Sequence, residues 1–198
     1  MTTFSIVGSG AIGGAIVPHF ARSGIEALVA NQRGKASLKE LEKRHAPVVR
    51  AVDAAEALLA DIVILALPFD AIREATKDVG DWKGRIAVDA TNAIDLPAFT
   101  PRDLGGRPSS HVLQDSLPGA RVVKAFNTLP AEVLASDPSK EGGRRVLFVS
   151  GDFDEANRDV ATLIERLGFF PVTLGKIAGG GLLQQFGGPL TVHNLSKY

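Results

Sequence analysis

No cysteine occurs in this chain, which removes disulfides, thiolate catalysis and thiolate metal sites together. Charge of one sign is not in excess either: 22 basic side chains balance 22 acidic ones. Neither a nucleic-acid footprint nor a polybasic membrane patch is therefore expected. No apolar run is long enough to span a bilayer, and the opening residues lack a basic stretch followed by an apolar one. A cytoplasmic protein with no membrane partner is the expectation. The four histidines stand in no spacing that marks a general base, and no histidine or carboxylate cluster has ligand spacing. His19 and His45 read as helix-surface residues, His111 lies near a helix start, and His193 sits in the tail. No catalytic residue and no metal ligand is assigned.

What is present is enough for one α/β domain with a core: 198 residues, 45% hydrophobic and 22% charged. The chain is organised around its start. Phe4-Ser5-Ile6-Val7 is strand-like and runs into Gly8-x-Gly10-x-x-Gly13. Ile12, Ile16 and Phe20 follow at helical spacing, and a second strand, Glu26 to Ala30, comes at the distance a βαβ unit needs. In such a unit Gly8 makes the tight turn, Gly10 lets backbone approach a pyrophosphate, and Gly13 lets helix pack on strand. The anion rests on free N–H groups at the positive end of the helix. Pro18, within a helix expected from about Ala11 to Arg22, predicts a kink, and Gly24 ends that helix.

The end of the second strand selects the cofactor. An acidic side chain there accepts hydrogen bonds from a ribose diol and repels a 2′-phosphate. This chain has neutral Asn31, then Gln32, Arg33, Gly34 and Lys35. A guanidinium offers a fixed fork of donors to phosphate, so NADP is the better fit.

Further on, a helix is expected from Ser37 to His45 and a strand from Val48 to Arg50. Asp53 and Glu56 have capping-box spacing. Ile62 to Leu67 is continuously apolar, as suits a strand covered on both faces and lying beside the first. Ile86 to Asn92 reads as a fifth strand with polar groups at its carboxyl end, Asp89 capping the next turn. Ala93 to Pro108 is long and rich in proline and glycine, a candidate lid. Ser109 is expected to cap a helix through Leu117. Val122 to Thr128 is a sixth strand, Pro130 opens a short helix, and Ser136 to Arg145 is a surface connection. Val146 to Ser150 is another strand. A helix from Asp154 with an apolar stripe closes at Gly168, and Phe170 to Leu174 is an edge strand. The glycine-rich tail is too apolar to be a solvated arm. The expected fold is α/β: a Rossmann-type, doubly wound, mostly parallel sheet with helices on both faces. Residues 1–175 form the NADP-binding domain and 176–198 a short C-terminal extension, packing on the cleft or on a second subunit of a homodimer.

Five stretches, in this order, also carry a family resemblance: Gly8 to Gly13, Asn31-Gln32-Arg33-Gly34, Val122-Val123-Lys124-Ala125-Phe126-Asn127-Thr128, Val149 to Asp152, and Leu167 to Val172. Together they resemble the F420-dependent NADP reductase family, and the cytoplasmic oxidoreductase domain of the six-transmembrane metalloreductases. The resemblance covers nearly the whole chain; Lys35 and the tail depart from the archaeal enzymes. It implies an NADP(H)-binding domain handing hydride to a deazaflavin, coenzyme F420, or to a flavin. It also implies that Ser9, Gly10, Ala11 and Ile12 hold the pyrophosphate and Gln32 with Arg33 the 2′-phosphate. Leu67, Pro68, Asn92 and Ala125 would line the nicotinamide side. Two other functions stay open at this point: a non-catalytic NADP(H)-binding sensor, and a reductase of small imines or hydroxy acids. The latter class usually carries a helical second domain, for which this chain has no length left.

Overall fold

The computed structural model describes residues 2–139 and 142–198; Lys140 and Glu141, inside the expected connection from Ser136 to Arg145, lie outside the described residues. The first half alternates strand and helix. β1 (Phe4–Val7), α1 (Ala11–Arg22), β2 (Ala27–Ala30), α2 (Lys39–His45), β3 (Val49–Ala51), α3 (Ala54–Ala57), β4 (Ile62–Leu65), α4 (Ile72–Thr76) and β5 (Ile86–Asp89) follow one another. A two-strand hairpin, β6 (Ile94–Asp95) and β7 (Thr100–Pro101), precedes α5 (Ser109–Gln114) and β8 (Arg121–Lys124). Then come α6 (Ala131–Ala135), β9 (Arg144–Gly151), α7 (Asp154–Arg166) and β10 (Phe170–Thr173). The tail holds a π-turn (Ile177–Gly181), α8 (Leu182–Gln184) and β11 (Ser196–Lys197).

The main sheet runs β10-β9-β8-β5-β4-β1-β2-β3. From β3 to β8 every pairing is parallel, and β9 enters antiparallel to β8. Strand order reverses between β1 and β4, the switch point at which such sheets leave a crevice beyond their carboxyl ends. This is the Rossmann-type, mostly parallel sheet read from the sequence.

Alternation along the strands builds two cores. Ile6, Ile64, Val88, Val123 and Val149 face Ile16, Phe20, Leu134, Val160 and Ile164. Val7, Val63, Leu65, Ala87 and Val122 face Leu58, Ile72, Trp82, Leu113 and Ile177. Both faces are covered, so the strands read as unbroken apolar runs. The stripe of α1 buries Ile16 and Phe20 almost completely; truncating Phe20 to alanine costs about 3–5 kcal/mol in a core of this kind.

α1 has the expected bounds, Ala11–Arg22, with Pro18 inside it. Elsewhere the structure departs from the sequence reading. His19 is not a surface residue: it is 1% exposed, because its position on α1 turns it toward α6 and Phe169. Its ring meets Phe169 edge-on at 4.7 Å. Nε2–H donates to the Leu134 carbonyl at 2.6 Å and Nδ1 accepts from Arg22 at 2.6 Å, which fixes a neutral tautomer. The Asp53–Glu56 capping box does not form; Glu56 accepts from Arg50 at 2.7 Å instead. Ser109 is the first residue of α5 rather than its cap. The end of the tail also joins the sheet, a pairing the sequence reading does not include. The Val146 N–H donates to the Leu195 carbonyl at 2.8 Å, and β11 pairs with Arg144 and Arg145 of β9, beyond the point where β8 ends.

Candidate functional site

The three glycines of the first turn differ in what constrains them. Gly8 has φ +111°, and a Cβ there would lie 2.1 Å from the Ala66 carbonyl oxygen. A Cβ on Gly13 would lie 1.8 Å from the Gly8 oxygen. Both are glycines because backbone passes over them. Gly10 has φ −75° and is exposed, and nothing lies within 4 Å of its would-be Cβ. No atom of the described residues demands glycine there; a ligand resting against the backbone would. Gly10 is also the N-cap of α1, which has no side-chain cap and no acidic residue in its first turn. Its first N–H groups, flanked by half-buried Ser9 and Ile12 and exposed Ala11, remain available to an anion.

Asn31 ties this turn to the next. Its Nδ2 donates to Ser9 Oγ at 2.8 Å and Ser37 Oγ at 3.0 Å, and its Oδ1 accepts from the Arg33 N–H at 2.9 Å. The neutral amide thus organises the loop. Gln32 and Arg33 are exposed, and Arg33 forms no ion pair among the described residues. Lys35 reaches Asp53 only at 3.9 Å, with both side chains largely in water, a pairing of little energetic weight.

Sheet register brings the remaining pieces together. Ala30, Val7, Leu65, Asp89 and Lys124 form one row across five strands. Three residues beyond that row stand Arg33, Gly10, Pro68, Asn92 and Asn127, all at the carboxyl edge. Pro68 is exposed, Leu67 and Asn92 half-buried. Ala125 does not join them. It is 0% exposed, within the core on the α1 side of the sheet, because it still follows the alternation of β8. Phe126 then adopts φ +63°, a left-handed conformation that a bulky side chain rarely takes. That turn brings Asn127 to the edge.

Two members of that row, Lys124 and Asp89, form a buried ion pair just below Asn92 and Asn127, so Asp89 does more than cap a turn. Lys124 Nζ is 3.0 Å from Asp89 Oδ2, with side chains 1% and 0% exposed. Asp89 also accepts from Ser110 Oγ at 2.6 Å, and from the Thr91 hydroxyl at 2.7 Å and N–H at 2.9 Å. Lys124 donates in addition to the Thr91 carbonyl at 3.1 Å. Burial alone raises the Asp89 carboxyl; the Lys124 ammonium and the hydrogen bonds from Ser110 and Thr91 outweigh it and hold the carboxyl below its usual range. The pair locks the ends of β5 and β8 into the geometry from which Asn92 and Asn127 project.

The segment from Ala93 to Pro108 is fastened on both sides. Arg102 donates to both oxygens of Asp70 and, at 2.8 Å, to Asp95. Phe99 meets Phe186 of the tail edge-on at 5.4 Å, and the Ser109 N–H donates to Gln185 Oε1 at 3.0 Å. His111 pairs with Asp152 at 2.7 Å, outside the row, and His193 is exposed. Two concavities of about 260 and 620 Å³ open around Phe4 and Arg121, and around Glu26 and Arg50; neither includes a residue of the row.

Comparison with known proteins fits this geometry. Residues 3–93 match the model of the family described as NADP oxidoreductase, coenzyme F420-dependent. A hypothetical protein of Sinorhizobium meliloti is 55% identical, with a TM-score of 0.97 covering 100% of this chain and 97% of that one. A protein of Arthrobacter sp. FB24, provisionally described as an F420-dependent NADP-reductase, is 27% identical with a TM-score of 0.75, covering 89% of this chain and 86% of that one. Over residues 3–93, then, the chain is similar to the F420-dependent NADP oxidoreductase family. Similarity also extends to metalloreductase STEAP3 of Rattus norvegicus, 33% identical over 95 residues, or 48% of this chain and 18% of that protein. The chain spans less than a third of the length of the curated relatives it matches. Within the family frame, the glycine turn and the Asn31 loop fall inside the matched residues, while Asn127 and the tail lie beyond them.

Proposed function

We propose that this chain binds NADP(H) along its carboxyl edge and transfers hydride between the nicotinamide and a deazaflavin, coenzyme F420, or a flavin. The observation that carries the reading is Gly10, a glycine with no demand on it from the fold, at the open end of α1. Ser9 to Ile12 would hold the pyrophosphate on backbone N–H groups, and Gln32 with Arg33 the 2′-phosphate. Leu67, Pro68 and Asn92 would border the nicotinamide. When bound, NADPH supplies a hydride and is left as NADP⁺, while the acceptor ring is reduced by two electrons.

The residues at the carboxyl edge, three beyond the row, fit direct transfer. Pro68, Asn92 and Asn127 bring neither a general acid nor a general base, so their part is to orient and to exclude water. The exposed side chains of Leu96, Phe99, Leu182, Leu183 and Val192 support a homodimer in which hairpin and tail are covered.

Mixing NADPH-loaded protein with F420, FMN, FAD or a ferric chelate tests the reading. Rapid NADPH oxidation with the deazaflavin or a flavin is expected. Tight NADPH binding with no transfer to any acceptor would make the protein a non-catalytic binder.

A further inference from the structure

The tail reaches the site through Gln184, by its side chain and its main-chain carbonyl. Gln184 is 0% exposed, although it belongs to a glycine-rich segment far from the cofactor turn in sequence. Its Nε2 donates to the Lys124 carbonyl at 2.8 Å and to Asn127 Oδ1 at 3.3 Å. Its Oε1 accepts from Ser150 Oγ at 3.2 Å, and its main-chain carbonyl accepts from Asn127 Nδ2 at 2.7 Å. Asn127 spends its other N–H on Asn92 Oδ1 at 3.0 Å, and Asn92 Nδ2 donates back to the Asn127 carbonyl at 3.0 Å.

Counting donors and acceptors shows what this chain of amides does. Both N–H groups of Asn127 are used, and its oxygen faces the Gln184 amide. A flipped Asn127 would aim oxygen at two oxygens, Asn92 Oδ1 and the Gln184 carbonyl. Gln184 therefore sets which way Asn127 points, and Asn127 sets Asn92. Among the described residues Asn92 is left with one N–H and one oxygen lone pair unpartnered, on a half-buried side chain at the sheet edge. One donor and one acceptor side by side match a primary carboxamide.

We propose that Gln184 is a positioning residue: through Asn127 it holds the Asn92 amide in the orientation that receives the nicotinamide carboxamide. This rests on the NADP(H) reading above. It makes the tail part of the cofactor site, at the reacting end and not at the adenosine end.

The test compares NADPH with adenosine 2′,5′-bisphosphate, which keeps the 2′-phosphate and lacks the nicotinamide. Gln184→Leu should weaken NADPH about tenfold in a fluorescence titration, the loss expected when one buried amide contact is freed. It should leave the bisphosphate within twofold of wild type. In an Asn92→Ala background the same substitution should cost nothing further, because residues acting through one another are not additive. Equal weakening of both ligands, or a full tenfold loss on top of Asn92→Ala, would overturn the proposal. Asn127→Ser breaks the relay one link nearer the site without changing a tail residue, and serves if Gln184→Leu does not fold. It should show the same selective loss, and unchanged NADPH binding there would equally overturn it. Failure of wild-type protein to bind either ligand would instead refute the NADP(H) reading itself.

Discussion

Lys124 and Asp89 face each other at 3.0 Å with almost no access to water, on neighbouring strands that are otherwise apolar. Every oxygen of Asp89 is met by a donor, so the pair is a satisfied network rather than a stranded charge. Lys124→Met should leave the carboxylate uncompensated and cost about 3–5 kcal/mol of stability. Urea unfolding of the variant measures this; a loss under about 1 kcal/mol would mean the pair is structurally neutral. The sign with pH is also set. A carboxyl held below its usual range stabilises the fold above pH about 4, and that contribution fades as pH falls through the folded-state pKa.

His19 predicts a different window. Burial lowers its pKa from 6.5 to about 4, with the nearby Arg22 and Arg145 adding to the shift and the bond to Leu134 opposing it. Below pH 6.5 the unfolded chain takes up a proton that the folded chain refuses, so stability must fall as pH drops from 6.5 toward 4. The full effect is about 3 kcal/mol for a shift of this size. His19→Phe should flatten that part of the stability–pH curve. An unchanged slope in the variant would place the titration elsewhere.

The three glycines should separate fold from function. Gly8→Ala and Gly13→Ala push a Cβ into backbone and should destabilise the domain. Gly10→Val meets open space, costs about 1 kcal/mol as a poor N-cap, and should keep native circular dichroism while abolishing NADPH binding. Retained NADPH affinity in folded Gly10→Val would remove the pyrophosphate from this turn.

How much of this could be read beforehand follows from how local each signal is. β1, α1 and the run Ile62 to Leu65 announced themselves through apolar period and glycine spacing, and they define the switch point. Asn31 was legible as neutral, but its hydrogen bonds to Ser9 and Ser37 needed the fold. Lys124 and Asp89 each interrupt an apolar strand, a visible mismatch that points to a buried pair; only sheet order says that they are partners. Ala125 stays in the core because the turn into the cleft comes one residue later, at Phe126, whose left-handed backbone has no sequence signature. The burial of His19 leaves no local signal, because it comes from α6 and Phe169, both more than a hundred residues away in the chain. Gln184 was invisible for the same reason: its partners Lys124, Asn127 and Ser150 are brought to it by tertiary structure.

The central claim is that Arg33, exposed and without an ion partner among the described residues, stands ready for a 2′-phosphate beside a neutral Asn31. Calorimetric titration of NADPH and NADH against wild-type protein and Arg33→Glu tests it most directly. The account predicts that wild type prefers NADPH and that Arg33→Glu weakens it by about 2 kcal/mol or more, roughly thirtyfold, with NADH less affected. Equal affinity of the wild-type protein for the two cofactors would contradict it.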